Sequence, residues 1–242
     1  MRRNRITIFG VIVLCLLVLL HVPAAPAFAD DRFATQIKLT QPIPGFGAAA
    51  DIDGDTAAVA GPGFIFSDFP DETVYVYRKE GTAWTLEQSL TTHDDEPLSQ
   101  DSFGFSVALS GDTLVVGALG DSTGGFVAGA AYVYIRDGHA WSLQQKLVAS
   151  DAAAFAQFGL SVDIIGDTIV IGALADDDSG YGTGAAYVYH RDGVTWTEQQ
   201  KLKASDEAAE SFFGLSVSIS GQTIAVGSPN QSSAGAFSSG AV

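Results

Sequence analysis

The chain has 242 residues with 12 Lys+Arg against 28 Asp+Glu, a formal charge of −16, and it contains 27 Gly and a single Cys. A field this negative repels polyanions and argues against DNA, RNA or anionic membranes as partners. One Cys excludes a disulfide framework and any Cys-based zinc site, and with 47% hydrophobic against 17% charged residues the chain is too apolar for disorder.

In chain order, the first feature is an address. Arg2, Arg3 and Arg5 precede an apolar run over 6–22, and Ala27-Phe28-Ala29 supplies a small-x-small cleavage site. This is the layout of a secretory signal peptide over residues 1–29. The run has 17 residues, at the short limit for a bilayer span, where about 20 are typical, so an uncleaved anchor is the alternative. Cleavage after Ala29 removes three arginines and no acid, which takes the charge from −16 to −19 and leaves no cysteine. The expected location is secreted, cell-surface or periplasmic, with stability achieved without disulfides and no membrane span after cleavage.

Beyond Asp30 the sequence repeats. Phe46-Gly47, Phe103-Gly104, Phe158-Gly159 and Phe213-Gly214 recur at spacings of 57, 55 and 55. Gly54-Asp55-Thr56, Gly111-Asp112-Thr113, Gly166-Asp167-Thr168 and Gly221-Gln222-Thr223 keep the same intervals, as do three Tyr-Val-Tyr triplets (from Tyr75, Tyr132 and Tyr187) and Trp84, Trp141 and Trp196. A period of this size implies a supersecondary unit that buries a face against copies of itself.

Within one unit, residues 105–109 and 114–118 are β-rich runs joined by a tight Gly111-Asp112 hairpin. Residues 131–135 alternate aromatic and β-branched side chains, and Asp137-Gly138 reads as a primed turn. Residues 141–147 form a fourth run, in which Trp141, Leu143 and Gln145 alternate with Ser142, Gln144 and Lys146. Four antiparallel strands per unit, here called A to D, are the arithmetic of a β-propeller blade. The units fall near 42–90, 99–147, 154–202 and 209–242, the last incomplete, which predicts an all-β partial propeller of about 3.5 to 4 blades. Residues 35–39 (TQIKL) resemble the ends of two D strands, 143–147 (LQQKL) and 198–202 (EQQKL), so 33–41 reads as an orphan outer strand.

These units resemble FG-GAP repeats, the blades of the integrin α-subunit propeller and of many secreted bacterial proteins. The marks are Phe-Gly before strand A, Val116-Gly117-Ala118 and Ile171-Gly172-Ala173 in strand B, and Gly-Ala-Ala-Tyr-Val-Tyr in strand C, from Gly129 and Gly184. The resemblance implies a ring that typically has seven blades, and calcium in A–B hairpins with alternating aspartates. Only Asp51, Asp53 and Asp55 alternate in this way, and Ala57-Ala58-Val59 replaces the downstream acid. Ca2+, which needs six to eight oxygens, therefore stands as one reading of this loop. The other is aspartates bonding to their own turn.

Antiparallel strands send the short A–B and C–D turns to one face and the long, acidic B–C and D–A loops to the other. Variable loops on a rigid scaffold are where binding usually lives. The candidate ligand contacts on that face are Asp94, Asp95, Asp121, Asp176, Asp177, Asp178 and Asp206, against the alternative that these acids only solvate the protein. His93, His139 and His190 occupy non-equivalent positions. Ser161 and Ser216 repeat between units, which suits a structural hydrogen bond better than a catalytic group. The expected function is therefore an exported non-catalytic propeller for adhesion or for recognition of an extracellular protein or glycan, with cation assistance an option. The alternatives are a secreted hydrolase or lyase, or the repeat portion of one, and a fragment of a longer seven-bladed protein.

Overall fold

A computed structural model describes residues 37–42, 45–61, 72–91, 101–177, 180, 182–205, 209–230 and 240–241. The signal peptide expected at 1–29 lies outside these residues. So do 33–36 of the orphan strand, and residues 37–41 form no strand. The repeats lie in a compact unit, Leu39–Val242.

Every regular element among the described residues is a strand. The first sheet joins β1 (Ala49–Asp53), β2 (Thr56–Gly61), β3 (Thr73–Glu80) and β4 (Ala83–Thr91) in chain order. The second joins β5 (Phe103–Ser110), β6 (Thr113–Ala118), β7 (Ala130–Asp137) and β8 (Ala140–Leu147). The third joins β9 (Phe158–Ile165), β10 (Thr168–Ala173), β11 (Ala185–Asp192) and β12 (Thr195–Leu202). A hairpin of β13 (Ser216–Ser220) and β14 (Thr223–Gly227) follows, extended by an antiparallel bridge between Ser228 and Ala241. Three four-stranded antiparallel sheets and a hairpin are the arrangement of part of a β-propeller.

The A–B hairpin closes between Ser110 and Thr113 as expected. The C–D turn lies one residue later than expected: Asp137 is the last residue of β7, paired with Ala140, and the turn is Gly138-His139. A positive φ of 64° at Gly138 explains the glycine.

The core sits between the sheets. One cluster combines Ala58, Val74 and Val76 of the first sheet with Leu114, Val116 and Trp141 of the second; another combines Val115 and Val133 with Ile169, Tyr187 and Trp196. Inside each blade the repeated Phe packs edge-on against the repeated tyrosines: Phe103 lies 5.4 Å from Tyr132, and Phe158 lies 5.3 Å from Tyr187. Each such buried ring contributes about 1.5–3 kcal/mol by area alone.

Three motif glycines meet at the seam between the second and third blades. A Cβ on Gly117 would lie 2.0 Å from the carbonyl oxygen of Gly159, one on Gly129 would lie 2.0 Å from that of Phe158, and one on Gly159 would lie 2.2 Å from that of Ala130. Gly172, Gly184 and Gly214 repeat the contact at the next seam. The glycines let backbone touch backbone across the seam. The first seam is built differently, with Ala60 in the place of Gly117 and Glu72 in the place of Gly129. The Glu72 carboxylate bridges instead, accepting from Ser102 N at 2.8 Å and Phe103 N at 3.2 Å. Burial raises its pKa above the ordinary carboxylate range, against those backbone bonds.

The D strands carry a second seam device. Each has a bulge that leaves Glu87, Gln144 or Gln199 without a partner on strand C. This breaks the alternation expected over 141–147, and neighbouring side chains now reach the same target. Gln144 Oε1 accepts from the Trp196 indole at 2.8 Å, while Gln145 bonds to the Trp196 backbone. Glu87 and Gln88 treat Trp141 in the same way.

Candidate recognition face

The two ends of the blades differ in kind. At the turn end, the Gly-Asp-Thr aspartates face the arginines that close strand C. Arg136 Nε lies 3.1 Å from Asp112, and Arg191 Nε donates to Asp167 at 2.6 Å. These arginines also lie over Trp141 and Trp196, at 5.9 and 5.1 Å from the ring centres.

The calcium candidates lie at this end, and two of them serve the seam. Asp51 accepts from Ile52 N at 2.8 Å and from Leu109 N of the next blade at 2.7 Å; Asp53 accepts from Gly111 N at 2.6 Å. Asp163 repeats the role toward Ile219 N, at 2.7 Å. Asp55 occupies the turn itself, where its carbonyl accepts from Lys79 N. Among the described residues no three His, Cys, Asp or Glu side chains group as a metal site.

At the loop end, Asp121 and Asp176 turn inward. Asp121 is 1% exposed and accepts from Tyr132 OH at 2.8 Å and Thr123 N at 2.8 Å, with Lys146 Nζ at 2.6 Å. Burial opposes its ionisation, but the bonds from Lys146, Thr123 and Tyr132 outweigh that and hold its pKa below the usual carboxylate range. Asp176 is 4% exposed, with Lys201 Nζ at 2.9 Å. The Tyr187 hydroxyl lies 2.8 Å from both Asp176 and Asp151 and donates to one at a time. Burial and the two carboxylates push the Tyr187 pKa up. Asp151 is held low because Lys201 and Tyr187 outweigh its burial. The two positions expected to offer free carboxylates to a ligand thus carry the ion pairs that tie strands C and D to the B–C loop. Asp177 is exposed and caps its loop through Gly182 N at 2.6 Å. Asp94, Asp95, Asp178 and Asp206 lie outside the described residues.

The loop end also carries an aromatic pair, of which Phe126 keeps the repeat spacing with Phe69 and Tyr181 while Phe155 does not. Phe126, in the B–C loop of the second blade, and Phe155, in the following D–A loop, are 56% and 58% exposed. Their rings meet edge to face at 5.3 Å. Backbone bonds hold the two loops side by side: Phe155 N donates to Phe126 O at 2.8 Å, Gln157 N to Val127 O at 3.3 Å, and Phe158 N to Ala128 O at 2.9 Å. Below the rings the contact is between small residues, since a Cβ on Gly124 would lie 2.5 Å from that of Ala152. Val127 has φ 55°, an uncommon conformation for a β-branched residue, at a position where the next blade places Gly182. The sequence signal for Phe126 is its recurrence with Phe69 and Tyr181, and for Phe155 it is a lone aromatic in a small-residue loop, Ala-Ala-Ala-Phe-Ala-Gln.

A family model described as "FG-GAP repeat" matches residues 84–134, 141–189 and 196–242. The chain belongs to the FG-GAP repeat family. Each match begins on a strand D and crosses the seam into the following blade, the first two ending within its strand C, so the family's repeat straddles a seam. No curated protein matches the chain. Among solved structures it is similar to the crystal structure of Saccharomyces cerevisiae Sqt1, with 11% identity and a TM-score of 0.44, over 71% of this chain and 39% of that one.

Proposed function

We propose that this protein is an exported, non-catalytic FG-GAP recognition module that binds an extracellular protein or glycan through its B–C and D–A loops. The observation that carries this reading is the asymmetry between the two ends. The turn end presents two-residue turns whose aspartates are matched to arginines. The loop end presents longer connections that differ between blades and carry the exposed Phe126–Phe155 pair. Exposed apolar groups on a rigid scaffold mark interaction sites.

A non-catalytic role is supported by what the repeated serines do. Ser106 Oγ and Ser161 Oγ donate to the carbonyls of Gly159 and Gly214 across the seams, each at 2.8 Å. The signal-peptide layout of the sequence over 1–29 supports export.

The test is an array of extracellular matrix proteins and glycans, probed with the protein and with two surface variants. Asp177→Ala with Glu210→Ala alters the loop end; His139→Ser with Val194→Ser alters exposed C–D turns at the other. Loss of a bound spot only in the loop-end variant supports the reading. Loss only in the turn-end variant overturns it, as does catalytic turnover of any arrayed compound.

A further inference from the structure

We infer that the Phe126–Phe155 pair is the anchor point for a basic polypeptide segment, whose apolar side chain seats on the two rings and whose lysines or arginines face the acids around them. The inference rests on the loop-end reading above and adds to it the chemistry of the partner.

Three observations carry it. The first is that the pair is built and held in place. The three backbone bonds between the loops fix both Cα positions before any partner arrives, so little ordering entropy remains to oppose binding. Aromatic side chains in such positions are enriched at interface centres.

The second is that Phe155 breaks the repeat, whereas Phe126 keeps it in sequence with Phe69 and Tyr181. The sequence aligns Phe155 with Glu210 of the next connection, and both have left-handed backbones, at φ 67° and 60°. The same backbone therefore carries a charge in one connection and an exposed ring in the other. The strand packing does not call for the ring.

The third is charge. The four connections at 119–129, 148–157, 174–184 and 203–212 contain eight acids and one base, Lys203. The nearby strand D lysines, Lys146 and Lys201, are engaged by Asp121, Asp151 and Asp176. Asp177 and Glu210 remain exposed on neighbouring connections. An apolar pair set in a field of this sign, on a chain of charge −16, complements a basic segment and disfavours an acidic one.

The experiment uses the full chain and short synthetic peptides as probes, with lysine or glutamate flanks and a central leucine or alanine. Affinity is read by fluorescence anisotropy at low and at physiological salt. The lysine–leucine peptide is expected to bind. Changing leucine to alanine, or Phe126→Ala with Phe155→Ala, is expected to weaken binding by about tenfold or more, as for an aromatic hot spot. The glutamate–leucine peptide is expected not to bind, and added salt to weaken the lysine peptides. Phe155→Gln keeps the fold accessible, because the sequence aligns Gln100 with that position, and it should reproduce the loss with an unchanged melting temperature.

Binding unaffected by these variants overturns the anchor while leaving the loop-end reading intact, as does absence of binding by every peptide. A glycan from the array that binds through the same pair overturns the basic-peptide assignment and upholds the loop end. Concentration-dependent self-association abolished by Phe126→Ala with Phe155→Ala overturns it in favour of a second copy of the chain.

Discussion

Gln145 holds Trp196 of the following blade by both of its backbone groups: Nε2 donates to the carbonyl and Oε1 accepts from the N–H, each at 2.8 Å. Gln88 holds Trp141 in the same way, at 2.9 and 2.8 Å. Truncation leaves a half-buried N–H and C=O without these partners, which costs about 1–3 kcal/mol. Gln145→Ala and Gln88→Ala should each lower the urea midpoint with an unchanged slope. Because they sit on different seams, their effects should add to within about 0.5 kcal/mol.

The seam glycines should be far less tolerant than the turn glycines. Gly129→Ala places a methyl 2.0 Å from a backbone oxygen, whereas the Cβ of Gly138→Ala would have nothing within 4 Å. The second change strains only a positive φ and should cost about 1 kcal/mol. The first forces the blades apart and should cost more than about 3 kcal/mol, at the severe end for point changes. Thermal melts of the two variants provide the comparison.

Acid should unfasten the loop end. Asp121 and Asp151 have pKa values lowered by folding, so the folded state binds fewer protons than the unfolded chain over that range. Their stabilisation is fully present above the unfolded carboxylate pKa and is lost as the pH falls through the lower folded values. Glu72, raised by burial, has the opposite sign and loses its contribution as the pH rises through its raised value. Asp121→Asn should lower stability at neutral pH and flatten the acid limb of a plot of urea midpoint against pH. An acid limb as steep as that of the parent protein would count against the Asp121–Lys146 pair as its source.

Calcium should leave stability unchanged. The Asp51 and Asp53 carboxylates already accept backbone N–H groups across the first seam. Asp51→Ala is therefore expected to cost about 1.5–3 kcal/mol, as for a bond to a charged group, with or without added calcium or chelator. A calcium-dependent rise in melting temperature that disappears in Asp51→Ala would assign these residues to the ion instead.

Most of the strand pattern could be read along the chain, because its causes are local. Phe103 and Tyr132 belong to repeats that keep one period, and Gly111 marks a turn that only neighbouring residues need to close. The Gly138 turn was displaced by one residue because pairing between Asp137 and Ala140 decides where the strands part. The D-strand alternation failed at Gln144 because the bulge there is a property of pairing with strand C, which a pattern of period two does not contain. At the candidate site, the acidic character of the loops was legible, but the direction of each carboxylate was not. Asp121 and Asp177 look alike in sequence; the first is drawn inward by Lys146 and Tyr132, 25 and 11 residues away in the chain, and the second bonds within its own loop.

The sequence by itself determined the period, the four-strand unit, the A–B turns and the family, since each shows as a pattern along the chain that repeats from unit to unit. The tertiary structure alone decided which polar groups the seams engage and which side chains remain for a partner. Gln145 meets Trp196 across 51 residues and Asp51 meets Leu109 across 58. Phe126 meets Phe155 only where two loops of adjoining blades run together. Such contacts follow from how one sheet is laid against the next, a placement set by backbone approach at Gly117, Gly129 and Gly159 at the second seam and by the Glu72 bridge at the first, rather than by any local preference.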